Sequence, residues 1–296
     1  MSLPVAPEFP GVLAAWSLEP VTVAALASAA LAYDRAGRVA RLLTPHHPVP
    51  TWRKGAFFGG LAVVAVALLS PVDTYAEVLL SAHMVQHVLL TLVAAPLLLL
   101  GRPGPLALRV VSPERRRRWL RIGHGRLGRL ASSPVLAWSL FAAVGWVIHF
   151  SPLFDAALRS RPVHVAEHAL FLATALLFWR PVVGGQPARR PLPHSVRLLY
   201  LAVAMPQNTF LALAIFGADR VLYPHYAEVV RPWGPSPLAD QRQGAGIMWV
   251  AGDLLLLVSV LLVAAAWARH EERETARAER REPPGGPEPE AATTGG

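Results

Sequence analysis

The chain has 296 residues, of which 53% are apolar and 16% charged, with a mean hydropathy of +0.39; this balance excludes an ordinary water-soluble domain and implies a membrane protein. Cysteine is absent, which excludes disulfides, thiolate metal sites and thiol nucleophiles and leaves His and Met as ligands for a soft metal. The net charge of +9 is carried by Arg residues lying between apolar runs, the pattern of cytoplasmic loops rather than of nucleic-acid binding.

The first residues, MSLPVAPEFPG, hold no Lys or Arg, so the charged start of a cleavable secretory signal is missing and the N-terminus is expected to be retained. Residues 1–16 read as an extracytoplasmic segment and 17–268 as a transmembrane domain. Within it lie seven apolar segments of membrane length, at about 17–33, 55–71, 77–100, 134–150, 162–179, 196–216 and 244–267. Runs such as VTVAALASAALAY and LLLLVSVLLVAAAW lack the period-two alternation of barrel strands. The expected fold is therefore all-α, a polytopic bundle of seven transmembrane helices.

Lys and Arg set the orientation. Residues 34–54, 101–133, 180–197 and 269–281 hold 23 of the 28, and the alternate connections hold Arg159, Arg161, Arg220, Arg231 and Arg242. The positive-inside rule then puts the N-terminus outside and the C-terminus in the cytoplasm. The basic stretch Pro113–Leu130 reads as a topology-setting loop at the face of anionic lipid. Residues 269–296 read as a cytoplasmic tail, a frayed helix followed by a disordered Pro/Gly-rich end. Trp16, Trp52, Trp146, Trp179, Trp249 and Trp267 read mostly as interfacial anchors.

Against this apolar background two motifs stand out: HMVQH, His83 to His87, in the third segment, and HVAEH, His164 to His168, in the fifth. Both segments enter from the outside, so His83 and His87 lie about 9 and 15 Å below their outer end and His164 and His168 about 3 and 9 Å. The fourth segment brings His149 in its last turn. Residues four apart share a helix face, so each pair can aim both rings at one point of the bundle interior. Glu19 and Asp73 fall on the same side, Met205, Gln207 and Asn208 sit near the middle of the sixth segment, and the inner half reads as nearly all apolar. Taken singly, His149 and His164 fit a structural role. Taken together, neutral imidazoles on facing helices fit metal ligation, at a site reached from outside. Gln86 and Glu167 each precede the second His of a pair and are candidates to orient a ring from the outer shell. Asp240 and Gln241, in the outer connection before the seventh segment, are candidates to hydrogen-bond across the bundle mouth or to stabilise their own loop.

Imidazole alone does not choose among Zn, Cu, Fe and Ni. The outer location and the thioethers of Met84 and Met248 favour copper, as Cu(I). Two alternatives stay open. HVAEH matches H-x-x-E-H, which would make Glu167 the general base of an intramembrane zinc hydrolase, and histidines on facing helices could bind a single b-type haem.

The stretches HMVQHVLLTLVAAPLLLLG, HFSPLFDAAL, HVAEHALFLATALLFWRPVVG, MPQNTFLALAI and DQRQGAGIMW resemble the multispan CtaG family of cytochrome c oxidase assembly factors over nearly the whole chain. The resemblance implies a non-enzymatic, multi-pass bacterial plasma-membrane protein that handles copper for cytochrome c oxidase subunits, its partners beside membrane lipids. Its conserved histidines would correspond to His83, His87, His149, His164 and His168. QRQGAG departs from the glycine-rich form expected after Asp240. His83, His87 and His168, whose depths lie closest, form the expected core of the metal site, completed by His164 or His149 and with Met248 at its approach.

Overall fold

The computed structural model describes residues 4, 6, 12, 15–184 and 192–280, and among them every regular element is helical. The tail beyond residue 280, expected to be disordered, and most of residues 1–14 lie outside the described residues.

Five helices open with one device: a Ser at the N-cap whose hydroxyl accepts a backbone N–H of the first turn, followed by Pro at the first helical position. The pairs are Ser70–Pro71, Ser112–Pro113, Ser133–Pro134, Ser151–Pro152 and Ser236–Pro237. The hydroxyl satisfies a donor that the helix leaves free, and the proline ring sets φ where no N–H is needed. Helix α1 (Pro20–Leu43) is capped instead by the Glu19 carboxylate, which accepts from Val21 and Thr22 N–H.

After α1 come α2 (Thr51–Leu69) and a short α3 (Pro71–Ala76). Helix α4 (Leu80–Val88) carries the first His pair, widens into a π-helical turn at Leu89–Ala94 and resumes as α5 (Ala95–Leu100). The widening has a cause in Pro96, whose ring would collide with the Leu92 carbonyl in an α-helix and which offers no N–H to the ladder. The Thr91 carbonyl in this turn accepts the Trp179 indole N–H at 2.7 Å, so the backbone group is satisfied across the bundle. Helices α6 (Pro103–Val110), α7 (Pro113–His124) and α8 (Arg126–Ala131) follow; α7, the arginine-rich stretch, buries no residue.

Then α9 (Pro134–His149) turns by 72° into α10 (Pro152–Arg159), and α11 (Arg161–Val183) carries the second His pair. Helices α12 (His194–Phe216), α13 (Pro224–Glu228) and the 43-residue α14 (Pro237–Glu279) are the last of the described elements. The tail segment expected to fray continues α14 without a break as far as Glu279.

Each of the seven expected segments falls largely on helix. By length and composition, however, five helical stretches among the described residues can cross a membrane: Thr51–Leu69, Leu80–Val110, Arg161–Val183, His194–Phe216 and one within Pro237–Ala278. The bent pair α9–α10 makes a sixth if counted as one span. Helix α1 is absent from that set because its second half carries Asp34, Arg35, Arg38 and Arg41.

Helix α14 packs along α12 and α4, α11 along α9 and α5, and α2 along α5 and the π-turn. Gly60 of α2 allows the last of these contacts: a Cβ there would lie 2.8 Å from Leu98 Cγ and 2.9 Å from its backbone nitrogen. Large apolar side chains including Val21, Leu31, Leu199, Phe210, Val250 and Leu261 are exposed on the outer faces of the helices, as a lipid-facing surface requires.

Candidate metal centre

Helix α4 begins beside α14, and α14 supplies its cap. Asp240 is fully buried, and its carboxyl oxygens accept from Leu80 N–H (2.6 Å), Ser81 N–H (3.3 Å) and the Ser81 hydroxyl (2.6 Å). The approach is close because Gly244 has no side chain; a Cβ there would lie 3.2 Å from both Met84 Cγ and Ser81 N. Gln241 serves its own connection: its Oε1 accepts from Leu222 N–H and its Nε2 donates to the Ile215 and Arg220 carbonyls. Of the two candidates, Asp240 thus bonds across the bundle and Gln241 stabilises the loop.

One turn below this cap the two His motifs face each other. His83 and His87, four apart on α4, bring their Nε2 atoms to 3.0 Å. Two nitrogens at that spacing both reach one ion at the usual ~2.0–2.1 Å bond length. The His83 ring lies 5.5 Å from His164 and 5.7 Å from His168, and His164 and His168 lie 4.3 Å apart, centre to centre. His149, at the end of α9, joins from the other side, its ring 5.7 Å from His87. All five imidazoles therefore form one buried cluster.

Each ring keeps a buried nitrogen without a hydrogen-bond partner: Nδ1 of His83 and His87, Nε2 of His149, His164 and His168. Buried polar atoms are rarely left this way, and in lipid the penalty grows. Glu167 adds two more, since neither carboxyl oxygen has a partner; the nearest charged or chargeable group is His83, whose Nε2 stands 4.0 Å from Oε2. One atom each of His83, His164, Glu167 and His168 can be chosen so that all lie within 4.8 Å of one another. Glu167 thus stands among the potential ligands, closer in than the outer-shell position expected from sequence.

Gln86 turns away from the rings. Its Nε2 donates to the Ala67 carbonyl and to Asp73 Oδ1, both at 2.9 Å, so the ring-orienting contact expected of it is not made. Asp73 in turn accepts from the Ser17 hydroxyl and faces the Arg161 guanidinium at 3.6 Å.

The cluster is roofed. Phe154 of α10 is fully buried, with its ring 5.0 Å from His83 and 5.5 Å from His149, and Tyr223 packs on it at 4.3 Å. Asp155 fastens the roof by accepting from His225 N–H and from Arg159, which also meets Glu228. Beyond the histidines lie two cavities. An apolar groove of about 590 Å³ between α1, α2, α5 and α11 ends at Asp73, Arg161, His164 and His168. A small chamber of about 60 Å³ is lined by His87, His149, Gln207, Asn208 and Met248 among apolar residues. Met248 lines this chamber together with His87 and His149.

The sequence reading missed Asp253. Its carboxyl group accepts from Asn208 Nδ2 (2.9 Å) and the Thr209 hydroxyl (2.5 Å), linking α14 to α12. The signal was available, an acidic residue inside GDLLLLVSVLL with two hydrogen-bonding residues in MPQNT to receive it.

Residues 30–270 match the sequence profile described as cytochrome c oxidase caa3 assembly factor (Caa3_CtaG). Uncharacterized proteins of Mycobacterium bovis and Mycobacterium tuberculosis are each 32% identical to the chain over 286 residues, 94% of this chain and 43% of theirs. One of Mycobacterium leprae is 30% identical over 255 residues, 82% of this chain and 39% of its own. The chain spans less than half the length of these curated relatives. No solved structure matches it. With a profile match across most of its length, the chain belongs to the cytochrome c oxidase caa3 assembly factor family.

Proposed function

We propose that this protein binds copper through its buried histidines and hands it to a nascent cytochrome c oxidase subunit in a bacterial plasma membrane, acting without catalysis. The observation that carries the reading is the convergence of five buried imidazoles, each with an unpartnered nitrogen, where three helices meet. A desolvated cage of neutral nitrogen donors stabilises a bound cation and is costly empty. In this reading the chain crosses the membrane seven times with the N-terminus outside, α1 included, and the histidines lie in the outer half, on the side where the Arg and Lys residues are few. Copper is cargo here. His83, His87 and His168 are its central ligands, with His164 or His149 completing the set and Glu167 balancing its charge.

Membership of an assembly-factor family supports the oxidase as the receiving partner. The same membership does not favour the haem alternative. The hydrolase alternative has one observation in its favour, the carboxyl group of Glu167 beside His83.

Metal content and the optical spectrum of purified protein test the reading, with His83→Ala and His168→Ala in parallel. Stoichiometric copper in the wild type that falls in both variants supports it. A Soret band, or zinc with peptide hydrolysis that Glu167→Gln abolishes, would refute it.

A further inference from the structure

We propose that the histidine cluster is two copper stations in series, and that the deeper one, built from His87, His149 and the Met248 thioether, is specific for monovalent copper. The inference rests on the copper reading above and deepens it by dividing the site.

The division follows from the donor sets. His83, His164, His168 and Glu167 form a compact group of three imidazoles and a carboxyl group. Three imidazoles and a carboxyl group do not select between the two charge states of copper, so this station accepts Cu(I) as it arrives. His87 and His149 lie on the other side and line the chamber of about 60 Å³ that also holds Met248. Among the described residues that line it none is charged; its remaining walls include Leu92, Phe141, Phe171 and Leu211, with Thr91, Gln207 and Asn208. Two neutral nitrogens and a polarisable sulfur in an apolar chamber favour a soft, singly charged ion over a divalent one, which would stay uncompensated there. The volume exceeds what one small ion or water needs.

His87 connects the two stations. Its Nε2 stands 3.0 Å from His83 Nε2, while its Nδ1 is buried without a partner. His149 is poised for the deeper station alone: its Nδ1 is held by the Gly145 carbonyl at 2.7 Å, which fixes the ring and leaves Nε2 as the free donor. Met248 is fixed through its backbone, since Asn208 Nδ2 donates to its carbonyl at 3.1 Å and to Asp253 at 2.9 Å. An ion therefore passes between stations by exchanging ligands around one ring, with no change of oxidation state.

The test loads the full chain, purified in detergent, with Cu(I) under anaerobic conditions against a competing chelator that strips weak surface histidines. Copper per chain is counted, and X-ray absorption reports sulfur in its coordination shell. The expected result is two ions per wild-type chain, with a sulfur contribution. Met248→Leu, which conserves volume, should retain one ion and no sulfur signal, and His149→Ala should likewise retain one. Met84→Leu should keep both ions and the sulfur, and Glu167→Gln should keep the sulfur-ligated ion. One copper per wild-type chain in a purely nitrogen and oxygen shell would overturn the second station and leave the copper reading standing. So would a sulfur signal that survives Met248→Leu or disappears in Met84→Leu. A wild-type chain that takes up no copper would overturn the copper reading itself.

Discussion

Replacing Asp240 by Ala tests whether the proposed metal centre depends on the contact between α4 and α14. The carboxyl group accepts three hydrogen bonds at the start of α4, two of them from backbone N–H groups, that of Leu80 buried and that of Ser81 partly buried. Losing an N-cap costs about 0.5–2 kcal/mol, and each buried donor left without a partner adds about 1–3 kcal/mol. A total near 3 kcal/mol is expected, because the freed turn relaxes and recovers part of the loss. At about 2–4 °C per kcal/mol for a domain of this size, the unfolding midpoint should fall by roughly 6–12 °C. His83 sits in the first turn below this cap, so fraying displaces it, and copper affinity should drop at least about tenfold, equivalent to about 1.4 kcal/mol. Tryptophan fluorescence melting in detergent and a competitive copper titration read the two effects on one preparation. Asp240→Asn keeps one acceptor oxygen and should fall between. If Asp240→Ala melts within about 2 °C of wild type and binds copper equally well, the cap does not position the site and the reasoning fails.

Other expectations follow from contacts elsewhere. Gly60→Ala forces a Cβ against Leu98 and should destabilise by about 1–3 kcal/mol, seen as a lower melting midpoint without any change in copper per chain bound by the folded fraction. Trp179→Phe removes the donor to the Thr91 carbonyl in the π-turn and should cost about 1–2 kcal/mol; a melting curve matching wild type would mean that the carbonyl has found another donor. Glu77 lies between the membrane-length helices, and burial, reinforced by Asp73, raises its carboxyl pKa against the opposing pull of Arg161 and His225. A raised folded value means that its contribution is full below the ordinary carboxylate range and is lost as pH rises through the folded value. Glu77→Gln should therefore be more stable than wild type at about pH 7 and lose that advantage near pH 4, as read by paired melts; an advantage that is constant with pH would exclude titration of Glu77 as its cause.

Helix placement was legible because lipid leaves the backbone few alternatives: apolar runs of membrane length had to become helices, and the i, i+4 spacing of the histidines fixed which rings share a face. That one rule sufficed to pair His83 with His87 and His164 with His168. What it could not supply was side-chain aim at finer grain. Gln86 and Glu167 hold equivalent places in their motifs, yet Gln86 points to Asp73 and Glu167 into the cluster, a difference set by which helices pack beside each. The 72° turn at Phe150 was written in Ser151–Pro152 but masked by the reading of 134–150 as a straight span. The charged second half of α1 was counted as loop, although it remains helical as far as Leu43. Asp253 was lost among leucines because a single charge barely alters a windowed average, whereas its physical significance depends on the partners that α12 brings.

The cap on α4 also orders events during synthesis. Asp240 belongs to the final helix, some 160 residues after the backbone groups that it holds. A chain still emerging from the ribosome has its histidines in the bilayer before it has the residue that sets their register. On the proposed copper reading, copies that stop short of α14 would be poor scavengers of the ion, and the capacity to bind it would arrive only once α14 has been made.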